Sequence, residues 1–498
     1  MSTDEALRFD VVVAGGGLAG LACAAALARR GRRVAVCEAT SVLGGRASSQ
    51  PDAQTGQAVD IGPHVLTTEH RNLLQLLQQL GTQDLVLWQR QPLITLLDAG
   101  RALRMARSTW PAPLHGLPNL PQALRCVSLG DLLSNARLGW QAARLDEPAT
   151  LALDDRDALS HLRALGVSRR MIDWFWRSAM LALLNVPLEQ CSAAALMRVA
   201  RLLMGRSGAH FGLPRAGLSE LYVPGCVQAV KAAGGAVLMQ AAVRTLRVQA
   251  GRFAGVGLAD GRELQAEAGV LAVPPPALAE LSLCEAGRPA AAADEALGLR
   301  EAVQRLRPVP YVSTHLWFDR PLTRERFWAR VWKPGDLNTD FYDLSQIRPG
   351  ASGGPAWFAV NAIDAGPALD WPDARLIEHT VREIADFAPE VTQARLRHAR
   401  VHRIPMAVLA PAPGTERLRP QAGTRVPGLW LAGDWTATAL PCSMESAARS
   451  GFLAAERVLQ AAGERASLAL PPPETGGLMA LLRRRRHGDP AAAPAQAR

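Results

Sequence analysis

The sequence predicts an α/β (α+β) chain of two lobes, one on a parallel sheet and the other a mixed sheet with helices. Three observations predict it. A β-branched run at residues 10–14 leads into Gly15, Gly17 and Gly20, a helical stretch and a second short strand. Strand-length runs separated by helical stretches recur through the middle of the chain. A further strand, glycine and acid, ending in Gly433 and Asp434, stands near the other end.

The first unit has the spacing of a Rossmann-type dinucleotide fold. Gly15 permits a tight turn, Gly17 lets the backbone approach a pyrophosphate, and Gly20 lets helix and strand pack closely. Leu18 and Ala19 open a helix whose N-terminal amides face the phosphates, and that helix stops at Gly31. Glu38, beside Ala39 and 18 residues after Gly20, ends the second strand where a carboxylate accepts hydrogen bonds from a ribose. Residues 11–28 are uncharged and long enough for a membrane span, but three consecutive glycines after three valines favour a turn.

With 498 residues, 48% of them hydrophobic, the chain is long enough for two domains and excludes global disorder. Asp4 and Glu5 stand where a signal peptide needs positive charge. Seven scattered cysteines without a C-x-x-C pair argue against a disulfide framework or zinc site, and for a cytoplasmic location. His398 and His402 have metal-ligand spacing, but no glutamate follows His398 and three arginines surround the pair, so no metal is expected. The net charge of +10 comes without a nucleic-acid-binding motif, which leaves an anionic membrane surface as the favoured reason for it.

In chain order, Gly44, Gly45 and Arg46 form a glycine turn with a fixed cation, expected beside the cofactor. Residues 59–64 precede a helix at 72–80, and residues 93–105 are paired strands turning at Asp98-Ala99-Gly100. From 128 to about 204 the pattern is helical, with interruptions near Glu147 and Pro187. Within it Trp174, Phe175 and Trp176 are too many aromatics for one helix stripe, so some are expected to face a second apolar environment, a greasy substrate, a membrane or another helix, with core packing against several helices expected for at least one. Strands are expected at 236–239, 243–248, 253–258, 261–264 and 270–273, then at 311–318, 328–332 and 357–363, with a helix at 374–387.

Near the C-terminus, Asp434 lies at the carboxyl edge of a strand, placed to accept hydrogen bonds from ribityl or ribose hydroxyls. Ser443 caps a helix, beginning at Met444, whose N-terminus suits the negative charge that builds on a reduced flavin. Two nucleotide signatures some 400 residues apart indicate FAD bound along its length; NAD needs only the first. From residue 471 the tail is of low complexity, apart from Leu478, Met479, Leu481 and Leu482 beside arginines 483–486, expected as an interfacial anchor or a disordered basic tail.

The N-terminal unit, Gly45-Arg46 and residues 60–64 resemble the flavin amine oxidase and phytoene desaturase superfamily. Residues 110–115, 175–187, 212–220, 315–322 and 433–436 further resemble bacterial hydroxysqualene dehydroxylases, and the similarity covers about residues 8–462. That family usually has Asn-Gly-Gln-His where this chain has Ile61-Gly62-Pro63-His64, a version similar to carotenoid desaturases. The resemblance implies that Gly62, Pro63 and His64 lie near the isoalloxazine and that Val243 contacts the adenine. It also implies hydride transfer between flavin and an apolar prenyl lipid. The expected reaction is removal of the hydroxyl of hydroxysqualene. The alternatives are phytoene-type desaturation, amine oxidation, and a flavin-bearing accessory role beside a prenyl synthase. His64, Arg46 and Arg215 are candidate acids by motif position.

The implied layout gives residues 1–70, 236–285 and 411–465 to the FAD-binding domain. Residues 71–235 and 286–410 go to the substrate domain, and 466–498 to a basic tail.

Overall fold

The protein is described from a computed structural model, covering residues 7–285, 291–348 and 355–483. Asp4, Glu5 and residues 484–486 of the arginine run lie outside the described residues.

Strand Leu7–Ala14 is central to a nine-stranded sheet, parallel to Val34–Cys37 on one side and Glu263–Leu271 on the other. Ala236–Leu238 extends it beyond Val34–Cys37. The sheet forks at Glu263–Leu271. Gln265 and its neighbours pair antiparallel with Arg252–Leu258, whereas Gly269 to Leu271 pair parallel with Leu429–Leu431. The C-terminal signature is thereby brought two strands from the N-terminal one. The two short strands expected at 261–264 and 270–273 are one strand, because Leu264, Ala266, Ala268 and Val270 alternate inward without a break.

Helix Leu18–Ala28 is buried on every side, between Leu218–Ala232 and Met444–Ala461. Alanine-rich faces allow close approach: a Cβ on Gly451 would lie 2.3 Å from the Ala19 carbonyl oxygen. The membrane-like run at 11–28 is therefore a buried strand and a central helix. No helix among the described residues is long and apolar enough to cross a membrane.

The second sheet has seven strands, in the order Leu396–Leu409, Pro308–Phe318, Trp357–Ile363, Asp340–Asp343, Phe327–Arg330, Ile94–Asp98 and Arg101–Met105. The hairpin turns where expected, with Ala99 and Gly100 at φ 48° and 77°. One face packs on helix Asp373–Ala385. Segment 57–65 crosses the other: the Asp60 carbonyl accepts from Nε2 of His315 at 3.1 Å, and the Pro63 carbonyl from Nδ2 of Asn361 at 3.4 Å.

The helical region is more broken than expected, and most of its breaks have a cap. Ser128, Asp146, Asp157, Ser168 and Ser192 each accept a first-turn amide, starting five separate helices. The aromatic triplet lies in a π-helical turn at Ile172–Trp176, whose extra residue shifts the facing of the side chains. Trp174 and Trp176 are buried and Phe175 packs edge-on to Trp176, all within one core shared by several helices, so the surrounding helices are the apolar environment they face.

The tail is docked rather than loose as far as residue 483. The Leu470 carbonyl accepts from Nδ2 of Asn72 at 3.1 Å, and the Leu478 amide donates to the Ala112 carbonyl at 2.8 Å. Met479 is buried against Ala112 and Ala143.

Candidate functional site

The first three glycines have three distinct jobs. Gly15 turns the chain at φ +106°, where a side chain would be strained. A Cβ on Gly20 would meet the Gly15 oxygen at 2.0 Å and Ala272 Cβ at 3.1 Å, so Gly20 sets helix–strand packing. Around Gly17 nothing lies within 4 Å, which leaves backbone facing open space. The helix beginning at Leu18 has no side-chain cap and no acid in its first turn, so its amides and dipole are free for an anion.

Glu38 uses Oε2 to accept the Gly16 amide at 2.8 Å and Oε1 to accept the Thr40 amide and hydroxyl, both at 2.8 Å. A carboxylate has about four acceptor directions, so one remains for a ribose hydroxyl. Residues 238–241 run beside it, the Ala241 amide donating to the Glu38 carbonyl at 2.8 Å, and this brings Val243 to the same end.

Arg46 leaves the turn Gly45–Ala47 and donates from Nη2 to Asp434 Oδ1 at 2.6 Å and from Nη1 to the Ala407 carbonyl at 3.1 Å. Asp434 thus has an arginine on one oxygen. Its backbone carbonyl accepts from Arg419 and from Ser446 Oγ, which holds it rigidly at the strand end. Ser443 accepts the Ser446 amide at 3.2 Å, the expected cap of Met444–Ala461. The Tyr222 hydroxyl lies 3.0 Å from the Gly44 and Ala47 carbonyls and pins the glycine turn, so this tyrosine is unavailable to an amine cage.

His64 places Nδ1 2.8 Å from the Gly62 carbonyl. A carbonyl only accepts, so Nδ1 carries the proton and Nε2 presents a lone pair. Burial lowers the His64 pKa, only partly offset by the Gly62 bond and by Asp60 and Asp340, and the ring is neutral at physiological pH.

These residues surround one cleft of 410 Å³. Gly15, Gly17, Leu18, Ala19, Glu38, Ala39, Gly45 and Arg46 line it from the N-terminal unit. His64, Val243, Gly433, Asp434, Ser443 and Met444 line it from elsewhere. Gly20 acts by packing behind it. Gly62 and Pro63 face the second sheet instead, with the Tyr311 hydroxyl 3.2 Å from a Cβ at Gly62. Arg215 is exposed and does not line this cleft, and its amide donates to the Leu85 carbonyl at 2.8 Å. His398 and His402 share one face of a strand, about 13 Å apart at the usual rise. His398 pairs with Asp52 and His402 lies against His315.

Sequence reasoning missed Met406, Ala407 and Val408 of the cleft wall. They belong to the long strand Leu396–Leu409, disguised by alternating arginines and histidines and by Pro405. Proline is tolerated there because this is an edge strand, and the register shifts opposite it.

The free helix amides, a ribose acceptor at one end and a capped helix N-terminus at the other suit an extended, doubly hydroxylated diphosphate. The family model for flavin containing amine oxidoreductase matches residues 18–459. The 15-cis-phytoene desaturase of Synechococcus elongatus is 27% identical, over 90% of this chain and 95% of its own length. Hydroxysqualene dehydroxylase of Rhodopseudomonas palustris is 29% identical, over 91% and 98%. Among solved structures, cyclohexylamine oxidase from Brevibacterium oxydans superposes with a TM-score of 0.67 at 19% identity, covering 92% of this chain and all of that one.

Proposed function

The chain belongs to the flavin containing amine oxidoreductase family and is an FAD-dependent oxidoreductase, and from that premise we propose that it removes the hydroxyl of hydroxysqualene reductively to give squalene. The observation that carries this reading is a row of buried polar side chains on the sheet face behind His64. Ser313 Oγ, Asn361 Oδ1 and His402 Nε2 are buried there without a protein partner, beside Trp317, Trp357 and Phe327. A hydrocarbon offers such atoms nothing, whereas a site that handles a hydroxyl and releases water has a use for them. The similarity to a hydroxysqualene dehydroxylase along 98% of its length supports the same reading.

FAD, when bound, supplies hydride transfer at its N5. The chain's residues hold and shield. The amides after Gly17 and the helix dipole bind the diphosphate, and Arg46, neutralised by Asp434, fixes the wall between the two ends. The N-terminus capped by Ser443 favours negative charge beside it.

Photoreduced protein mixed anaerobically with hydroxysqualene in micelles is expected to recover its oxidised flavin absorbance and yield squalene. Persistent bleaching would overturn the reading. Oxidised protein reduced by phytoene would then favour the desaturase reading, which the Gly62-Pro63-His64 sequence and the cyanobacterial relative support.

The same reading includes a peripheral seat on an anionic membrane, where such a substrate dissolves. Trp110, Leu114 and Leu117 are exposed on the stretch before the helical region, Trp140 on helix Ala136–Arg144, and Leu478 and Leu481 on the tail docked beside that helix.

A further inference from the structure

Segment 57–65 carries His64 to the cleft, and side chains of the second sheet grip it by donating hydrogen bonds. Trp317 Nε1 donates to Gln57 Oε1 at 2.6 Å, His315 Nε2 to the Asp60 carbonyl at 3.1 Å and Asn361 Nδ2 to the Pro63 carbonyl at 3.4 Å. Arg348, just past the turn Leu344–Gln346, reaches the same segment with both prongs of its guanidinium. Nη1 donates to the Ala58 carbonyl and Nη2 to Asp60 Oδ2 at 2.5 Å. The Gly62 carbonyl that accepts from His64 Nδ1 lies between the anchored carbonyls of Asp60 and Pro63. The imidazole is therefore aimed by a span fixed at both ends from the sheet.

The Asp60–Arg348 pair is the charged member of this set. Asp60 is 2% exposed and Arg348 7% exposed, so water screens their attraction little. The Trp357 ring lies 4.9 Å from the guanidinium carbon and steadies its plane. The other Asp60 oxygen accepts from Ser49 Oγ at 2.7 Å and from the Leu218 amide at 2.9 Å, at the start of helix Leu218–Ala232. That helix carries Tyr222, whose hydroxyl pins the turn that bears Arg46. One carboxylate thus ties together the second sheet, the His64 segment and the helix behind the glycine turn.

We propose that Asp60 and Arg348 are positioning residues that set the orientation and tautomer of the His64 imidazole in the cleft wall, so that this side chain is aimed from the second sheet rather than from the dinucleotide fold. The inference rests on the family membership, and on the dehydroxylase reading only for the substrate of its kinetic arm. Neither residue lines the cleft; both act through His64. Removing the Arg348 guanidinium releases the Ala58 carbonyl and one oxygen of Asp60, and only neutral donors then hold the segment to the sheet. The imidazole is then free to leave the Gly62 carbonyl for other rotamers and for the Nε2-protonated tautomer.

The imidazole nitrogens report this without substrate or turnover. In protein carrying isotope-labelled histidine and read by nitrogen NMR, the His64 signals are identified by their loss in His64→Ala. In the wild type they are expected as one protonated Nδ1 and one unprotonated Nε2. In Arg348→Met they are expected to move toward an averaged pair, while those of His161 in the helical region stay in place. At equal flavin content, flavin reoxidation by hydroxysqualene is expected to slow by about 10–10²-fold in Arg348→Met. Combined with His64→Ala, the same substitution is expected to cause no further slowing; a residue that merely stabilises the fold would add its loss in both backgrounds. Asp60→Asn together with Arg348→Met leaves no lone buried charge and keeps an acceptor for Ser49 and Leu218, so this pair carries both readings should Arg348→Met not fold. Wild-type His64 signals in the folded variant, or additive losses, overturn the positioning role and leave the substrate reading intact. Failure of the wild type to react with hydroxysqualene overturns the substrate reading and leaves the nitrogen signals to decide the role of Asp60 and Arg348.

Discussion

Gly17 and Gly20 stand one helical turn apart and have opposite constraints. A methyl at Gly20 would press on a backbone oxygen that cannot retreat, whereas a methyl at Gly17 would meet nothing in the protein. Gly20→Ala is therefore expected to destabilise even the flavin-free chain by about 1–3 kcal/mol or more, measured as a fall in its thermal midpoint. Gly17→Ala should leave that midpoint in place and weaken FAD binding at least about tenfold, or 1.4 kcal/mol. Equal effects of the two substitutions on the flavin-free midpoint would contradict this division. The glycine spacing was legible because its chemistry is local. Tyr222, Ala407 and the polar row were not, since each reaches the site by pairing with residues more than a hundred positions away.

At the scale of elements, a buried charge network joins the helical region to the cleft. Arg419 donates to Glu416 at 3.0 Å, to the Leu440 carbonyl at 2.7 Å and to the Asp434 carbonyl, while Arg198 of helix Ala193–Gly205 pairs with Glu416 and Glu147. Opposed charges hold Glu416 below its usual range despite burial. Arg419→Met leaves the Asp434 carbonyl without this donor and Glu416 half-compensated. A loss of about 3–5 kcal/mol is expected, in denaturant titration, together with faster flavin release. Strands and helices with clean periodicity were legible to within a residue or two, as with Trp357–Ile363 and the helix capped by Ser443. The strand Leu396–Leu409 was hidden because charge and Pro405 are tolerated on an edge. The facing of the triplet at 174–176 was not legible because periodicity assumes an unbroken helix, and a π turn breaks it.

Across the whole molecule, the exposed apolar residues are unevenly distributed. Trp110 and Trp140 are each 53% exposed and Leu481 is 80% exposed, on segments that touch through residues 112, 143 and 479. Arg144 lies 5.1 Å over the Trp140 ring, pairing cation and aromatic as an interfacial surface does. The protein is expected to sediment with vesicles containing phosphatidylglycerol and to come off in high salt. Replacing Trp110 and Trp140 together by Ser should abolish most of that binding without lowering flavin content; unchanged sedimentation would remove this face as the seat. The tail's apolar residues were legible as a candidate contact. Their docking on the helical region was not, because only the fold supplies Ala112 and Ala143 as partners.

The cleft draws its walls from stretches near residues 15, 46, 64, 243, 273, 407, 434 and 444. A ribosome delivers those stretches in that order, so a growing chain holds the glycine turn for most of its synthesis with no opposite wall. Only after Asp434 and Met444 emerge can the flavin be gripped at both ends. Flavin supply therefore acts on finished chains rather than on nascent ones, and riboflavin starvation should accumulate full-length, protease-sensitive protein instead of truncated fragments.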